Sequence, residues 1–166
     1  MEPSTRLDRA PLEDASALLM ACCGSSRWVE RMLARRPFGS DAALLAAARE
    51  EWFALSAADW REAFGHHPKI GDLNALRTRF AATRHLAERE QAGVAGAPEE
   101  IFEALAQGNL AYQQKFGFIF IVCASGRSAA EMLDLLLTRF RNDPAAEILI
   151  AAEEQAQITA RRLGAL

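Results

Sequence analysis

The residues best suited to chemistry lie in the turn His66-His67-Pro68, within an otherwise Ala- and Leu-rich sequence. Histidine is the side chain whose unperturbed pKa best suits proton transfer near neutral pH. Gly65 and Pro68 oppose continuation of a helix, and the residue before a proline is displaced from the α region, so His67 is predicted to project from a fixed turn. The alternative is that both histidines are ordinary loop residues. The sequence therefore offers His67 as a candidate proton-transfer residue.

A second candidate is Arg162, near the end of the last predicted helix. At about 100° per residue, Arg162 leans toward the predicted inward face of that helix, whereas Arg161 points roughly the opposite way. That face contains Ile148, Ala152, Gln155 and Ile158. An inward guanidinium either pairs with a structural carboxylate or meets an anionic ligand in a cleft, and the sequence leaves both possibilities open.

Two further groups of polar residues have weaker signals. Glu90-Gln91 ends a predicted helix. This position would place a carboxylate and an amide at the rim of a pocket, and the alternative is an ordinary charged helix end in solvent. A metal site is the other possibility, because histidines and carboxylates cluster in sequence at His66, His67, Asp72, His85 and Glu88. No His-Glu-x-x-His pair occurs and no cysteine stands at a ligand spacing, so the metal-dependent hydrolase that this cluster would serve is an alternative and not the favoured interpretation.

The bulk properties are those of a soluble globular protein. The 166 residues fit one domain, residues 1–166 with a core of about 12–163, and 51% are hydrophobic while 25% are charged. The net charge of -3 has no basic stripe, which argues against a nucleic-acid partner. No apolar run approaches a membrane span and the N-terminus lacks a signal core, so the cytoplasm is the expected compartment. Cys22, Cys23 and Cys123 are expected to be reduced core thiols.

Helix-capping and helix-breaking residues predict an all-α domain of about eight helices. Their predicted ranges are Pro11 to Cys22, Ser25 or Ser26 to Arg36, Asp41 to Leu55, Ser56 to Phe64, Leu73 to Glu90, Pro98 to Lys115, Ser128 to Arg141 and Pro144 to Leu163. The segment Phe116 to Ala124 is β-prone and apolar, but no partner strand is evident. We expect it to be extended or irregular backbone buried inside the helical protein. Its backbone amides must then find unusual hydrogen-bond partners, of which a bound ligand is one candidate.

Four sequence blocks together carry a family resemblance. They are His67-Pro68-Lys69-Ile70-Gly71, Glu90-Gln91-Ala92-Gly93, Asn109-x-x-Tyr112-x-x-Lys115-Phe116-Gly117-Phe118 and Glu153-Glu154-Gln155-x-x-Ile158-Thr159-x-x-Arg162-Leu163. In this order, from about Leu12 to Leu163, the chain resembles the 2-oxo-4-hydroxy-4-carboxy-5-ureidoimidazoline (OHCU) decarboxylase family. The resemblance implies an all-helical, homodimeric, cofactor-independent carboxy-lyase that converts this ureidoimidazoline to (S)-allantoin and carbon dioxide in urate breakdown.

The resemblance also implies roles for individual residues. The family's catalytic positions fall on His67, Glu90 and Arg162. Its substrate-binding positions fall on Pro68, Ala87, Gln91, Phe120, Ile121, Val122, Cys123 and Ala124. Two positions depart from the family pattern, because Ala87 stands where Ser is usual and Ile119 where Pro is common. The remaining alternative is a noncatalytic helical interaction module, in which Arg162 would pair with a structural acid.

Overall fold

The computed structural model describes residues 1–68 and 98–166, and the regular elements in these ranges are all helices. They are α1 (Pro3–Arg9), α2 (Leu12–Cys22), α3 (Ser26–Ala34), α4 (Asp41–Phe53), α5 (Ala57–Gly65), α6 (Pro98–Phe116), α7 (Ala129–Phe140) and α8 (Pro144–Gly164). The predicted all-α class is confirmed. None of these helices is long and apolar enough to cross a bilayer.

Serine caps set four of the eight helix starts observed among the described residues, as predicted. Ser25 accepts from the Trp28 N–H and Ser40 from the Ala43 N–H, while Ser56 and Ser128 each form a reciprocal capping box with the acid three residues later. Seven predicted helices occur at nearly their predicted bounds. The eighth, Leu73 to Glu90, lies outside the described residues.

Helix α1 was not predicted. It begins with Pro3 in its first turn and buries Leu7 completely. Its neighbour Asp8 accepts hydrogen bonds from the N–H groups of Phe38 (2.9 Å) and Gly39 (3.0 Å). A helix this short is marginal in isolation, so these tertiary contacts stabilise it.

The chain forms two compact units, residues 1–67 with 148–166 and residues 68–147. In the first unit, three indole N–H groups connect the helices that carry the candidate residues. Trp28 donates to the Ala48 carbonyl (3.0 Å), Trp52 to that of Ala152 (2.9 Å) and Trp60 to that of Trp52 (2.9 Å). Each buried indole thereby satisfies its polar group, and together they connect α3, α5 and α8 to α4.

The second unit contains the predicted irregular segment. Residues 117–124 follow α6 without regular structure, and Phe118, Phe120, Ile121, Val122 and Cys123 are buried. Tyr112 packs its ring against three phenylalanines, at centroid distances of 4.5, 5.9 and 5.2 Å from Phe116, Phe118 and Phe120. The prediction of buried, irregular backbone in this part of the chain is confirmed.

Candidate functional site

His67 lies in a tight turn directly after α5. The His67 N–H donates to the Phe64 carbonyl at 3.3 Å, and His66 caps the helix with its own N–H. His66 and Pro68 are exposed, whereas His67 is half-buried. The predicted turn is confirmed, and it presents one of its two histidines to the protein interior.

The turn rests on Gly24, in the loop between α2 and α3. A Cβ on Gly24 would lie 2.4 Å from His66 Cγ and 2.5 Å from His66 Cβ, so only glycine permits this approach. Beside it, the Glu62 carboxylate accepts hydrogen bonds from the Ser26 N–H (3.1 Å) and hydroxyl (2.5 Å). The sequence analysis missed Gly24. A small residue beside a helix cap was the available signal, but its partner His66 is 42 residues away in the sequence.

The side chain of His67 meets helix α8 at Gln155. His67 Nε2 lies 2.5 Å from Gln155 Oε1, and Gln155 Nε2 donates to Thr159 Oγ1 at 3.1 Å. Gln155 is 1% exposed and Thr159 4% exposed. The Thr159 hydroxyl in turn hydrogen-bonds the buried thiol of Cys23, whose pKa is raised to about 12 mainly by burial. A line of neutral polar groups therefore runs from the histidine turn into the core.

Arg162 lies at the edge of the inward face of α8 and not within it. The buried residues of that face are Ala152, Gln155, Thr159 and Leu163. The Arg162 side chain is exposed and its Nη1 donates to the carbonyl oxygens of Cys22 (3.3 Å) and Ala21 (3.5 Å), in the last turn of α2. The expected inward lean is thus corrected, because the guanidinium reaches the negative end of a helix dipole instead of the core.

Helix geometry relates Arg162 to the histidine contact. Gln155 and Arg162 are seven residues apart, nearly two turns, so they share one side of α8 and are separated by roughly 10 Å along its axis. Both His67 and Arg162 belong to the first unit. This side of α8 therefore carries the contact to a half-buried imidazole and, nearly two turns later, a cation, two groups that suit proton transfer and anion binding respectively.

In the second unit, Arg139 fixes the irregular segment that contains the remaining predicted contacts, Phe120 to Ala124. Arg139 Nη1 donates to the Ile121 carbonyl at 2.7 Å, and its Nη2 lies 2.6 Å from a carboxylate oxygen of Glu147. Glu147 is fully buried and also accepts from Asn142 Nδ2 (2.9 Å) and the Tyr112 hydroxyl. Burial, and after it the hydrogen bond to the Glu147 carboxylate, raises the pKa of Tyr112. Sequence analysis missed Arg139, although it shares the apolar helical spacing of its neighbours Met132 and Leu136.

Several predicted residues lie outside the described part of the chain. They are Ala87, Glu90 and Gln91 among the site residues, and Asp72, His85 and Glu88 of the metal alternative. Among the described residues, no group of three or more His, Cys, Asp or Glu side chains is arranged to hold a metal ion. The three cysteines are buried with free thiols, and burial raises the pKa of Cys22 to about 11. Reduced core thiols, as predicted, are what the structure contains.

A cleft of about 230 Å³ lies between α4 and α8, and Thr159 of the polar line contributes to its lining. Its lining is mostly apolar and includes Leu45, Ala48 and Trp52. Its charged side chain, Arg49, is paired with Glu153 through two hydrogen bonds of 2.9 Å. This cleft lacks both His67 and Arg162, and its chemistry does not match that of the site described above.

Comparison with known proteins defines the class first. The fold is similar to that of a crystal structure of (S)-allantoin synthase, with a TM-score of 0.67 and 20% sequence identity over 96% of this chain and 52% of that one. It is also similar to a crystal structure of OHCU decarboxylase in the presence of (S)-allantoin, with a TM-score of 0.72 and 36% identity over 93% and 96% of the two chains. The protein thus has the all-helical fold of these two crystal structures.

Sequence comparison then gives the family. The model of the OHCU decarboxylase family matches residues 8–164. The chain is 30% identical to 2-oxo-4-hydroxy-4-carboxy-5-ureidoimidazoline decarboxylase of Amia calva, over 77% of this chain and 73% of the relative. It is 40% identical to the uric acid degradation bifunctional protein TTL of Arabidopsis thaliana over 87% of this chain, but spans only 45% of that relative. The chain belongs to the OHCU decarboxylase family, which confirms the predicted family and its enzyme class, a carboxy-lyase.

Proposed function

We propose that this protein decarboxylates 2-oxo-4-hydroxy-4-carboxy-5-ureidoimidazoline to (S)-allantoin and carbon dioxide, without a cofactor, in urate degradation. The observation that carries the proposal is the geometry along α8, where Gln155 holds the half-buried His67 and Arg162 follows nearly two turns later on the same side. These are the positions at which the family resemblance expects a proton-transfer residue and an anion-binding residue.

The substrate supplies its own electron sink. When the bond between C4 and its carboxylate breaks, the electron pair forms a C4–C5 double bond, and the adjacent ring C=N accepts electrons while its nitrogen takes a proton. The resulting enol then takes a proton on C5 and loses one from its hydroxyl group. The protein has three tasks in this scheme, namely holding the carboxylate, moving protons and selecting the face that is protonated.

Each predicted residue has a task in this scheme. His67 moves the proton at the substrate hydroxyl or ring, and Glu90 orients and charges its imidazole. Arg162 binds the substrate carboxylate, because a guanidinium matches a carboxylate in shape and charge. The other predicted contacts surround the ring and ureido group, and they come from Pro68, Ala87, Gln91, Phe120, Ile121, Val122, Cys123 and Ala124.

The proposal also covers assembly and location. We expect a homodimer in the cytoplasm, with a small anionic substrate and with neither a nucleic acid nor a membrane as partner. A composition without a basic stripe supports the absence of nucleic-acid binding. Sedimentation of the purified protein would test the dimer.

The decisive experiment generates the unstable ureidoimidazoline in situ from urate and follows circular dichroism of the allantoin formed. Spontaneous decay gives a racemate, so enzyme must produce a lasting optical signal of one hand and release carbon dioxide faster than buffer alone. The matched control is His67→Ala at the same protein concentration. Racemic product at the spontaneous rate with the natural protein would refute the proposed function.

A further inference from the structure

We propose that Gln155 is a positioning residue that holds His67 in the tautomer with its proton on Nε2, which makes Nδ1 the proton-accepting atom of the imidazole. The tautomer itself follows from hydrogen-bond geometry in the first unit. Its importance for turnover rests on the function proposed above. The experiment below therefore measures the tautomer and the turnover separately.

The direction of the hydrogen bonds determines the tautomer. The Gln155 amide nitrogen donates to Thr159 Oγ1 at 3.1 Å, so the amide oxygen is the atom that faces His67 Nε2 at 2.5 Å. An amide oxygen only accepts, and so the imidazole nitrogen opposite it must carry the hydrogen. In the neutral imidazole the second nitrogen, Nδ1, then holds the basic lone pair, and the charged form that we assign to the influence of Glu90 arises when Nδ1 takes a proton.

The orientation of the amide is fixed from its far side. The Thr159 hydroxyl hydrogen-bonds the Cys23 sulfur, which also receives a hydrogen bond from the backbone N–H of Ser25. Turning the amide over would place its oxygen against Thr159, whose hydroxyl would then donate to that oxygen and would depend on the weakly donating thiol of Cys23 for the hydrogen bond between them. It would also place an N–H against His67 and demand the opposite tautomer. The contact between Cys23 and Thr159 thus favours the amide orientation that places the imidazole proton of His67 on Nε2.

Burial makes the selection firm. Gln155 is 1% exposed, Thr159 4% and Cys23 0%, so water competes little for these groups. Burial also raises the pKa of Cys23 to about 12, which keeps the thiol neutral at physiological pH. The line therefore adds no charge beside His67 and acts on the position of the proton alone.

The test is ¹⁵N NMR of the imidazole rings in the ligand-free protein. Three histidines are present, and the His67 signals are those that disappear in His67→Asn. We expect a protonated Nε2 and an unprotonated Nδ1 in the natural protein. Gln155→Met, which keeps the size but removes the acceptor, should shift His67 toward a mixture of tautomers and lower kcat about tenfold, as expected for one orienting hydrogen bond, with KM nearly unchanged.

Controls come from the same helix. Gln157→Met makes the same exchange at an exposed position and should leave the His67 signals and kcat unchanged. Thr159→Val should release the amide and mix the tautomers, while Thr159→Ser keeps the hydroxyl and the natural pattern. If Gln155→Met fails to fold, the Thr159 pair decides the question.

An Nδ1-protonated His67 in the natural protein, or natural ¹⁵N signals in both Gln155→Met and Thr159→Val, would overturn the inference. A natural tautomer pattern together with a fully active His67→Ala would instead refute the catalytic role of His67. The two failures are therefore distinguishable.

Discussion

Helix α8 contributes a buried polar side chain to each unit, and the two are handled differently. Glu147, in the second unit, is a fully buried carboxylate surrounded by Arg139, Asn142 and Tyr112. Gln155, in the first unit, is a buried amide between His67 and Thr159. The charge of Glu147 is neutralised by the neighbouring guanidinium. The environment of Gln155 contains only uncharged groups, and these fix which atom of each hydrogen bond donates.

This difference distinguishes buried polar groups that stabilise the fold from buried polar groups that serve the candidate site. A buried charge is tolerated only when its partners are complete, and such a group has no capacity left for a ligand. The Arg139–Glu147 pair accordingly fixes the irregular segment through the Ile121 carbonyl. The neutral line includes His67, whose half-buried imidazole can exchange a proton.

The largest expected effect is on the functional side of this comparison. His67→Ala should lower turnover by about 10²–10⁴-fold, the usual contribution of a general acid or base, and should still fold, with a modestly lower melting temperature because the buried Gln155 oxygen loses its partner. The exposed His66 is the matched control, and His66→Ala should change turnover by no more than about twofold. Equal losses in the two variants would show that the turn as a whole matters and that His67 has no special role.

The structural side should respond in stability instead. Arg139→Met leaves Glu147 buried without its cation, and we expect the free energy of unfolding to fall by about 3–5 kcal/mol in urea denaturation. Arg141→Met, at the exposed cap of the same helix, should cost far less. Adding Glu147→Gln to Arg139→Met should restore part of the loss, since it removes the unpaired charge. No recovery in this double variant would contradict the assigned role of the pair.

Gly24 tests whether the position of the histidine turn matters as well as its composition. Gly24→Ala introduces a Cβ that would lie 2.4 Å from His66 Cγ, so the turn must shift. A displacement of about 1 Å costs on the order of 10²-fold in kcat/KM. Gly65→Ala is the control, because a Cβ there meets nothing within 4 Å. A fully active Gly24→Ala would mean that the loop yields and the turn does not.

Arg162→Lys keeps the charge but loses the planar fork. We expect substrate KM to rise about tenfold, with a smaller effect on kcat, because a lysine cannot bind a carboxylate in the same bidentate geometry. Arg161→Lys, exposed on the neighbouring position, should match the natural protein in steady-state kinetics. Unchanged kinetics in Arg162→Lys would remove this residue from substrate binding.

The smallest effect is expected for the exposed ion pair Arg49–Glu153, the counterpart of the buried pair Arg139–Glu147. Hydrogen bonds from Arg49 lower the pKa of Glu153, so their stabilisation is present at neutral pH and is lost as pH falls through the lowered pKa. Both side chains are about half exposed, at 58% and 44%, so Glu153→Gln should cost at most about 1 kcal/mol at pH 7 and nothing in strong acid. Thermal melts across this pH range would detect the difference, and a constant difference at every pH would contradict it.

The sequence was sufficient for features that depend on neighbouring residues. The capping boxes at Ser56 and Ser128 involve partners only three residues away, and both helices begin as predicted. The turn at His67 followed equally from the adjacent Gly65 and Pro68. The irregular segment after α6 was recognisable because a single apolar, β-prone run had no partner strand.

The contacts that organise the site were not accessible in this way. Gln155 meets His67 across 88 residues, and Gly24 meets His66 across 42. Helical periodicity gave Arg162 an inward lean, but it could not reveal that the last turn of α2 offers carbonyl oxygens at that edge. Helix α1 escaped prediction for the same reason, since its stability depends on contacts with Phe38, Gly39 and the start of α4.

The attachment of Arg162 to the end of α2 has a thermodynamic consequence for any anion that it binds. A mobile arginine carries about 2 kcal/mol of rotamer entropy. Here the carbonyl oxygens of Ala21 and Cys22 restrict the torsions of Arg162 when the chain folds. This rotamer entropy is therefore lost when the protein folds and not when the anion binds. An anion that binds Arg162 meets a side chain whose torsions are already restricted.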